Sequence, residues 1–234
     1  MVLVVVVSGC ALDTRELQLE TSSVAGTAST GGSGTAGGGG SGQPPGLDAP
    51  PPPACVYAGT EVPAGCETLV SNPGFDQESG VEGWPGANLR IQTEWRKQDA
   101  TGVLHSSSMA VDNTLAADSN GDTINGAFQC VPAVAGAVYD VAADVFIPSG
   151  QEAAGRAGIS VLFYKKADCN ASLTGTDMSF TTTLVDAVAT WQPVAGRFIV
   201  PDDMLSMEIT LVSGKPFRPL SFTALFDNVL VQKK

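Results

Sequence analysis

The residues with chemistry to offer are mostly acids. The 234-residue chain carries 24 Asp and Glu against 12 Lys and Arg, with one His and five Cys, for a net charge of −12. His105 is the single imidazole. No H-E-x-x-H, no G-x-S-x-G and no glycine-rich phosphate loop in a strand-helix setting occurs, so the common hydrolytic and phosphoryl-transfer signatures are missing. Glycoside hydrolysis needs two apposed carboxylates, a matter of geometry that sequence does not supply. The stretch Asp118-Ser119-Asn120-Gly121-Asp122 begins as an EF-hand loop does, but Thr123 stands where glycine is required and Gln129 where the bidentate glutamate belongs. It reads as a polar loop between strands. The acidic balance repels polyanions, which argues against nucleic acid and acidic bilayers as partners and leaves neutral or cationic ones.

The cysteines divide by position. Val2 to Val7 form a short apolar run ending in Val7-Ser8-Gly9-Cys10, similar to a bacterial lipobox in which Cys10 becomes the lipidated first residue after cleavage. Residues 1–10 are then a lipoprotein signal peptide, although no basic residue precedes the apolar run. The other reading is a buried strand with an incidental cysteine. With Cys10 lipidated, an even four remain, and in an exported chain they read as two disulfides among three connectivities. Cys55 with Cys66 closes a short loop holding Val62-Pro63-Ala64-Gly65, and Cys130 with Cys169 joins two segments that both read as strand ends. No CxxC or CxxH spacing is present, so zinc is not expected.

The elements that must position these groups begin after a long polar lead. Residues 11–54 include Gly31-Gly32-Ser33-Gly34, Gly37-Gly38-Gly39-Gly40 and Pro50-Pro51-Pro52-Pro53, a composition that cannot bury apolar surface and predicts a disordered tether. Its stretch 21–54 has a span of roughly 30 to 35 Å as a flexible coil. No run of 18 apolar residues follows the first ten, so a spanning helix is not expected. Residues 55–66 form the disulfide loop, and 67–234 are long enough for one domain with its own core. From Thr68 onward the apolar pattern has a period near two, broken by Gly, Pro, Asn and Asp. Strands are expected over 88–96, 108–112, 127–131, 138–147, 158–164, 191–200, 206–212 and 221–231. In Val138-Tyr139-Asp140-Val141-Ala142-Ala143-Asp144-Val145, the face carrying Tyr139, Val141, Ala143 and Val145 suits a core. With no convincing amphipathic helix, the fold class is an all-β sandwich.

Several motifs in order produce a resemblance. They are Asn72-Pro73-Gly74-Phe75-Asp76, Gly83-Trp84, Trp95 with Asp99-Ala100-Thr101-Gly102, Ser106-Ser107-Ser108-Met109-Ala110-Val111, Gln129-Cys130-Val131, Phe163-Tyr164 before Cys169, Trp191-Gln192-Pro193-Val194 and Phe226-Asp227-Asn228-Val229. Together they resemble the CenC-type carbohydrate-binding modules and related modules on bacterial lipoproteins. The likeness covers nearly all of 67–234 and implies a galactose-binding-like jelly roll that binds without catalysis. It also implies a structural calcium held by Gly74, Asp76, Ser108 and Asp227, which would tie the first and last strands. One further acidic ligand of the family falls near His105, where this chain offers no oxygen; the alternative is that Asp76 and Asp227 are solvated or hydrogen-bonded. Sugar binding needs rings that stack on a pyranose. Trp95, Tyr164 and Phe180 are the ligand-binding candidates, whereas Trp84 and Trp191 read as core packing. Only 6% of the chain is aromatic, so any such site is small. The expected partner is a polysaccharide or glycan, or, if the sugar face is lost, another envelope protein. The expected location is outside the cytoplasm, lipid-anchored to the bacterial outer membrane or cell surface.

Overall fold

A computed structural model describes residues 55–58, 62–76, 80–87, 89–102, 105–115, 122–123, 125–170, 179–216 and 219–234. Cys10, the expected signal peptide 1–10 and the expected tether 11–54 lie outside the described residues, as do all of 118–122 except Asp122.

Alternation of apolar and polar residues builds ten strands and no helix among the described residues. They are β1 (Ile91–Arg96), β2 (Ser108–Asn113), β3 (Asp122–Thr123), β4 (Gly126–Pro132), β5 (Val138–Phe146), β6 (Arg156–Tyr164), β7 (Ser179–Thr181), β8 (Trp191–Ile199), β9 (Ser206–Pro216) and β10 (Phe222–Lys233). The eight expected strands all form, with ends moved by a few residues. The two additional ones, β3 and β7, are too short to show a period. One sheet has the order β1-β2-β10-β5-β8; in the other, β9 lies between β6-β7 on one side and β3 and β4 on the other. All eight strand pairings among the described residues are antiparallel, and the molecule is a jelly-roll sandwich as expected.

The inner faces meet in one core that includes Phe75, Trp84, Met109, Tyr139, Phe163, Ile209 and Phe226. Phe198 centres an aromatic cluster, with ring centroids 5.8 Å from Tyr139, 5.4 Å from Phe163 and 5.2 Å from Phe180. Close approach of β4 to β9 requires glycine at 126, because a Cβ there would lie 1.7 Å from the Leu211 carbonyl oxygen. The Cys55–Cys66 disulfide packs with Tyr57 against Leu230 and Ala142, on the outside of the first sheet. Cys130–Cys169 is the second disulfide. Both pairings are those preferred from loop closure and strand ends.

Candidate functional site

The first sheet has little free outer surface near its centre. Beyond Phe226, β10 loses β2 as a partner, and residues 68–74 take its place: Leu69 N–H donates to Val231 O at 2.8 Å and Val229 N–H to Pro73 O at 2.8 Å. At this exchange sits Asp227, fully buried. Its Oδ2 accepts from Ala100 N–H at 2.9 Å and from Ser106 Oγ–H at 3.4 Å, and its Oδ1 accepts from Asn228 N–H at 2.7 Å. Asn228 in turn donates to Asp144 Oδ2 at 2.9 Å and accepts Tyr57 N–H at 3.0 Å. Burial pushes the Asp227 carboxyl up to about 7, against the pull of the two backbone N–H donors, and the nearby Asp144 and Asp99 charges add to the rise.

The residues implied as calcium ligands gather around this point to different degrees. Phe226 pairs with Met109, so the antiparallel register sets Ser108 beside Asp227. Ser108 Oγ is buried with no hydrogen-bond partner. Gly74 is buried and its carbonyl accepts Ser107 N–H at 3.4 Å, a long bond. Asp76 is half-buried, and its carbonyl accepts Gly80 N–H at 2.9 Å. Asn72, Phe75, His105 and Asn228 all have positive φ, between 48° and 70°. For a residue as large as Phe75 that conformation is an outlier which costs energy, so strain is concentrated around Asp227. The oxygen-only character of the set, with one orphaned hydroxyl, fits a hard cation. No group of three or more His, Cys, Asp or Glu side chains that could hold a metal occurs among the described residues. Any such ion would therefore depend on main-chain and hydroxyl oxygens.

The three aromatic candidates do not share a surface. Trp95 pairs with Met109 on β2, is half-buried, and donates its indole N–H to Phe75 O at 3.0 Å. Phe180 packs inward on Phe198. Tyr164 faces outward on the other sheet, but the residue is only 2% exposed. Of the two tryptophans read as core packing, Trp84 is buried and bonds Ser71 O. Trp191 is half-buried and tilts against Phe146, centroids 5.4 Å apart.

The outer face of the second sheet carries a polar strip that includes none of the three aromatic candidates. Met207, Ile209 and Leu211 of β9 and Ala157, Ile159, Val161 and Phe163 of β6 enter the core, so their alternates point outward. The register lines up Phe128, Thr210, Ser160 and Thr181 in one row across four strands, and Cys130, Glu208, Leu162 and Ser179 in the next. Four strands at about 4.8 Å spacing give a strip about 14 Å long. Glu208 is its carboxylate: Tyr164 Oη–H donates to Oε2 at 3.1 Å and Thr210 Oγ1–H to Oε1 at 3.3 Å. Ser160 and Thr181 hydroxyls are 3.3 Å apart. Phe128, partly exposed at one end, offers a ring. Ser160, Leu162 and Thr210 are themselves buried, at 7%, 6% and 8% exposure, so the groups within reach of a ligand are Phe128, Glu208, Ser179 and Thr181, which can bond hydroxyl groups and cover one apolar sugar face. Its signal in the sequence is Met207-Glu208-Ile209-Thr210-Leu211, where polar residues alternate with core residues. A separate concavity of about 610 Å³ lies near Ile147, Arg156, Leu184, Lys215 and Phe222. Its lysine is turned into the Leu115 and Pro216 carbonyls, and burial draws the Lys215 pKa down.

No protein-family model matches this chain, and no curated protein matches it. Among solved structures it is similar to the N-terminal CBM22-1–CBM22-2 tandem domain of Paenibacillus barcinonensis Xyn10C, with TM-score 0.50 and 13% identity over 71% of this chain and 44% of that one. It is also similar to the enzymatically active domain of bacteriophage CBA120 tailspike protein 4, with TM-score 0.49 and 12% identity over 71% and 21% of the two chains. The C-terminal family 22 carbohydrate-binding module of Clostridium thermocellum Xyn10B gives TM-score 0.48 and 16% identity over 69% and 94%. The chain thus spans about a fifth of the tailspike chain and under half of the tandem domain. At these identities the likeness is one of fold, a β-sandwich of the kind found in carbohydrate-binding modules.

Proposed function

We propose that this chain is a non-catalytic carbohydrate-binding module, held to a bacterial envelope by a lipid on Cys10 and a tether over 11–54. The observation that carries the binding reading is the outward strip, where the Ser179 and Thr181 hydroxyls and the carboxylate of Glu208 share one partly exposed face with the Phe128 ring, backed by the buried Ser160 and Thr210 hydroxyls. Glu208 is the one carboxylate in those two rows, whereas hydrolysis of a glycosidic bond uses two, which supports binding over cleavage. The fold is consistent with this reading. The second reading, an envelope protein that binds another protein through the same sandwich, is favoured by the separation of Trp95, Tyr164 and Phe180 from one another. Calcium enters as a structural ion: Asp227, Ser108 and the Gly74 and Asp76 oxygens would hold it, and it would supply positive charge to a buried carboxylate.

Affinity electrophoresis in xylan, galactan, β-glucan and chitin derivatives, with and without calcium, tests the assignment. The parent is expected to be retarded by at least one polymer, and Glu208→Ala or Phe128→Ala to weaken retardation about tenfold, the effect of losing roughly 1.4 kcal/mol. A parent that runs freely in every gel overturns the carbohydrate reading and leaves the protein-binding one.

A further inference from the structure

The Cys130–Cys169 disulfide lies against the strip in a way that simple stapling of the fold does not require. Cys130 stands on β4 in the same row as Glu208 and Leu162, and it is exposed. Cys169, in the connection that follows β6, sits over the first residue of β9: its N–H donates to Ser206 Oγ at 3.3 Å, and its Sγ is also 3.3 Å from that oxygen. Ser206 Oγ–H is itself donated to Lys166 O at 2.5 Å. The disulfide therefore spans β9 from one side to the other and pins the connection 165–170 onto it. Beneath this strap Leu162, Tyr164 and Cys169 form a small buried cluster of their own, apart from the main core. Cys169 adopts φ +51°, a left-handed conformation unfavourable for a residue with a side chain. The strap thus holds the connection in a shape its local backbone preference opposes.

We propose that the Cys130–Cys169 strap is a positioning device for the glycan-binding strip, acting through Tyr164 on the Glu208 carboxylate. The inference rests on the glycan-binding reading of that strip. The chain of contacts is short. The strap keeps water from the Tyr164 ring, leaving the phenol a fixed rotamer, and the phenol donates to Glu208 Oε2 at 3.1 Å. Thr210 holds the other oxygen at 3.3 Å, so both oxygens of the carboxylate are held. A carboxylate so fixed loses little side-chain freedom when a sugar hydroxyl donates to it, which is where preorganisation gains affinity. Without the strap, Tyr164 gains alternative rotamers and its hydrogen bond to Glu208 is no longer held in place. The strap also walls the strip along the Cys130–Ser206 side, so a sugar chain would lie across the strands instead of along them. Tyr164 reaches function through this route although its own ring is closed to ligand.

The test compares the full chain with a Cys130→Ser/Cys169→Ser variant, with Cys55→Ser/Cys66→Ser as the control for losing a staple elsewhere. Two readouts are taken after circular dichroism shows that each variant keeps its β-sheet. Nitration by tetranitromethane, mapped by peptide mass spectrometry, reports Tyr164 exposure without any ligand; it is expected to be negligible in the parent and in the control and at least fivefold faster in the strapless variant. Affinity electrophoresis in xylan, galactan, β-glucan and chitin derivatives reports binding, which is expected to fall about tenfold in the strapless variant and less than twofold in the control. Tyr164→Phe is expected to cost affinity in the parent but to add little in the strapless background, a non-additivity that stability alone does not produce. Equal nitration of Tyr164 in all three proteins overturns the positioning role. So does a strapless variant that binds as the parent does. If none of these polymers retards any of them while Tyr164 becomes reactive in the strapless variant, the strap positions Tyr164 as proposed and it is the glycan assignment that fails.

Discussion

Asp227 is a carboxylate placed where water cannot reach it, held by the Ala100 and Asn228 N–H groups and the Ser106 hydroxyl. Its folded-state carboxyl, pushed up to about 7 from 3.8, keeps a proton over a range where the unfolded chain has lost it. A raised folded value gives stability that is full below pH about 4 and is lost as pH rises through about 7. Calcium would bind the ionised form and reverse this trend. In EDTA the contribution of Asp227 should therefore lower the melting temperature as pH goes from 5 to 8, while the rise in melting temperature on adding calcium should grow over the same range. Differential scanning calorimetry at four pH values measures both. Asp227→Ala should remove the calcium response, and a parent without any response at pH 8 would end the calcium reading. Asp140 illustrates the opposite balance. Burial alone would raise it, but Arg197, bonded through Nη2 at 2.8 Å, and Lys234 at 3.2 Å hold its carboxyl below the usual range. Its contribution is thus present at neutral pH and is lost only as acid protonates it.

At the scale of elements, the two disulfides close loops of different length, 11 and 39 residues apart in sequence. Chain entropy predicts about 3 kcal/mol for the shorter and about 4 kcal/mol for the longer. Paired Cys→Ser variants unfolded in urea should rank in that order. A larger loss for the Cys55–Cys66 pair would mean that its packing on Leu230 and Ala142, against the last strand, outweighs loop length. The strands themselves were readable because half-buried β-structure writes a two-residue period into the chain, and β1 and β5 show it plainly. The two short strands were not: β3 has two residues and β7 three, and their pairing is decided by neighbours far away in sequence.

For the whole molecule, a net charge of −12 coexists with a proposed binding strip that has one carboxylate in its two rows. Neutral glycan binding should therefore change less than twofold between 50 and 500 mM NaCl, since no array of opposite charges is being screened. A steep salt dependence in affinity electrophoresis would point instead to a charged partner, in line with the protein-binding reading.

Composition and alternation alone determined that this chain builds an all-β sandwich after a Gly/Ser/Pro-rich lead, and cysteine spacing favoured the two disulfides. Those properties are local: a period of two, a turn residue, a loop short enough to close. Which face of which sheet is open was not local. Trp95, Tyr164 and Phe180 each have a ring suited to sugar, yet one bonds the Phe75 carbonyl, one lies under a strap and one enters the core. Glu208, Thr210, Ser160, Thr181 and Phe128 come from four strands, and only register sets them in neighbouring rows. Burial of Asp227 likewise depends on residues 68–74 and on Ala100 and Ser106 closing over β10. Side-chain chemistry was legible in the sequence, but exposure is a property of packing, and the tertiary structure alone decided it.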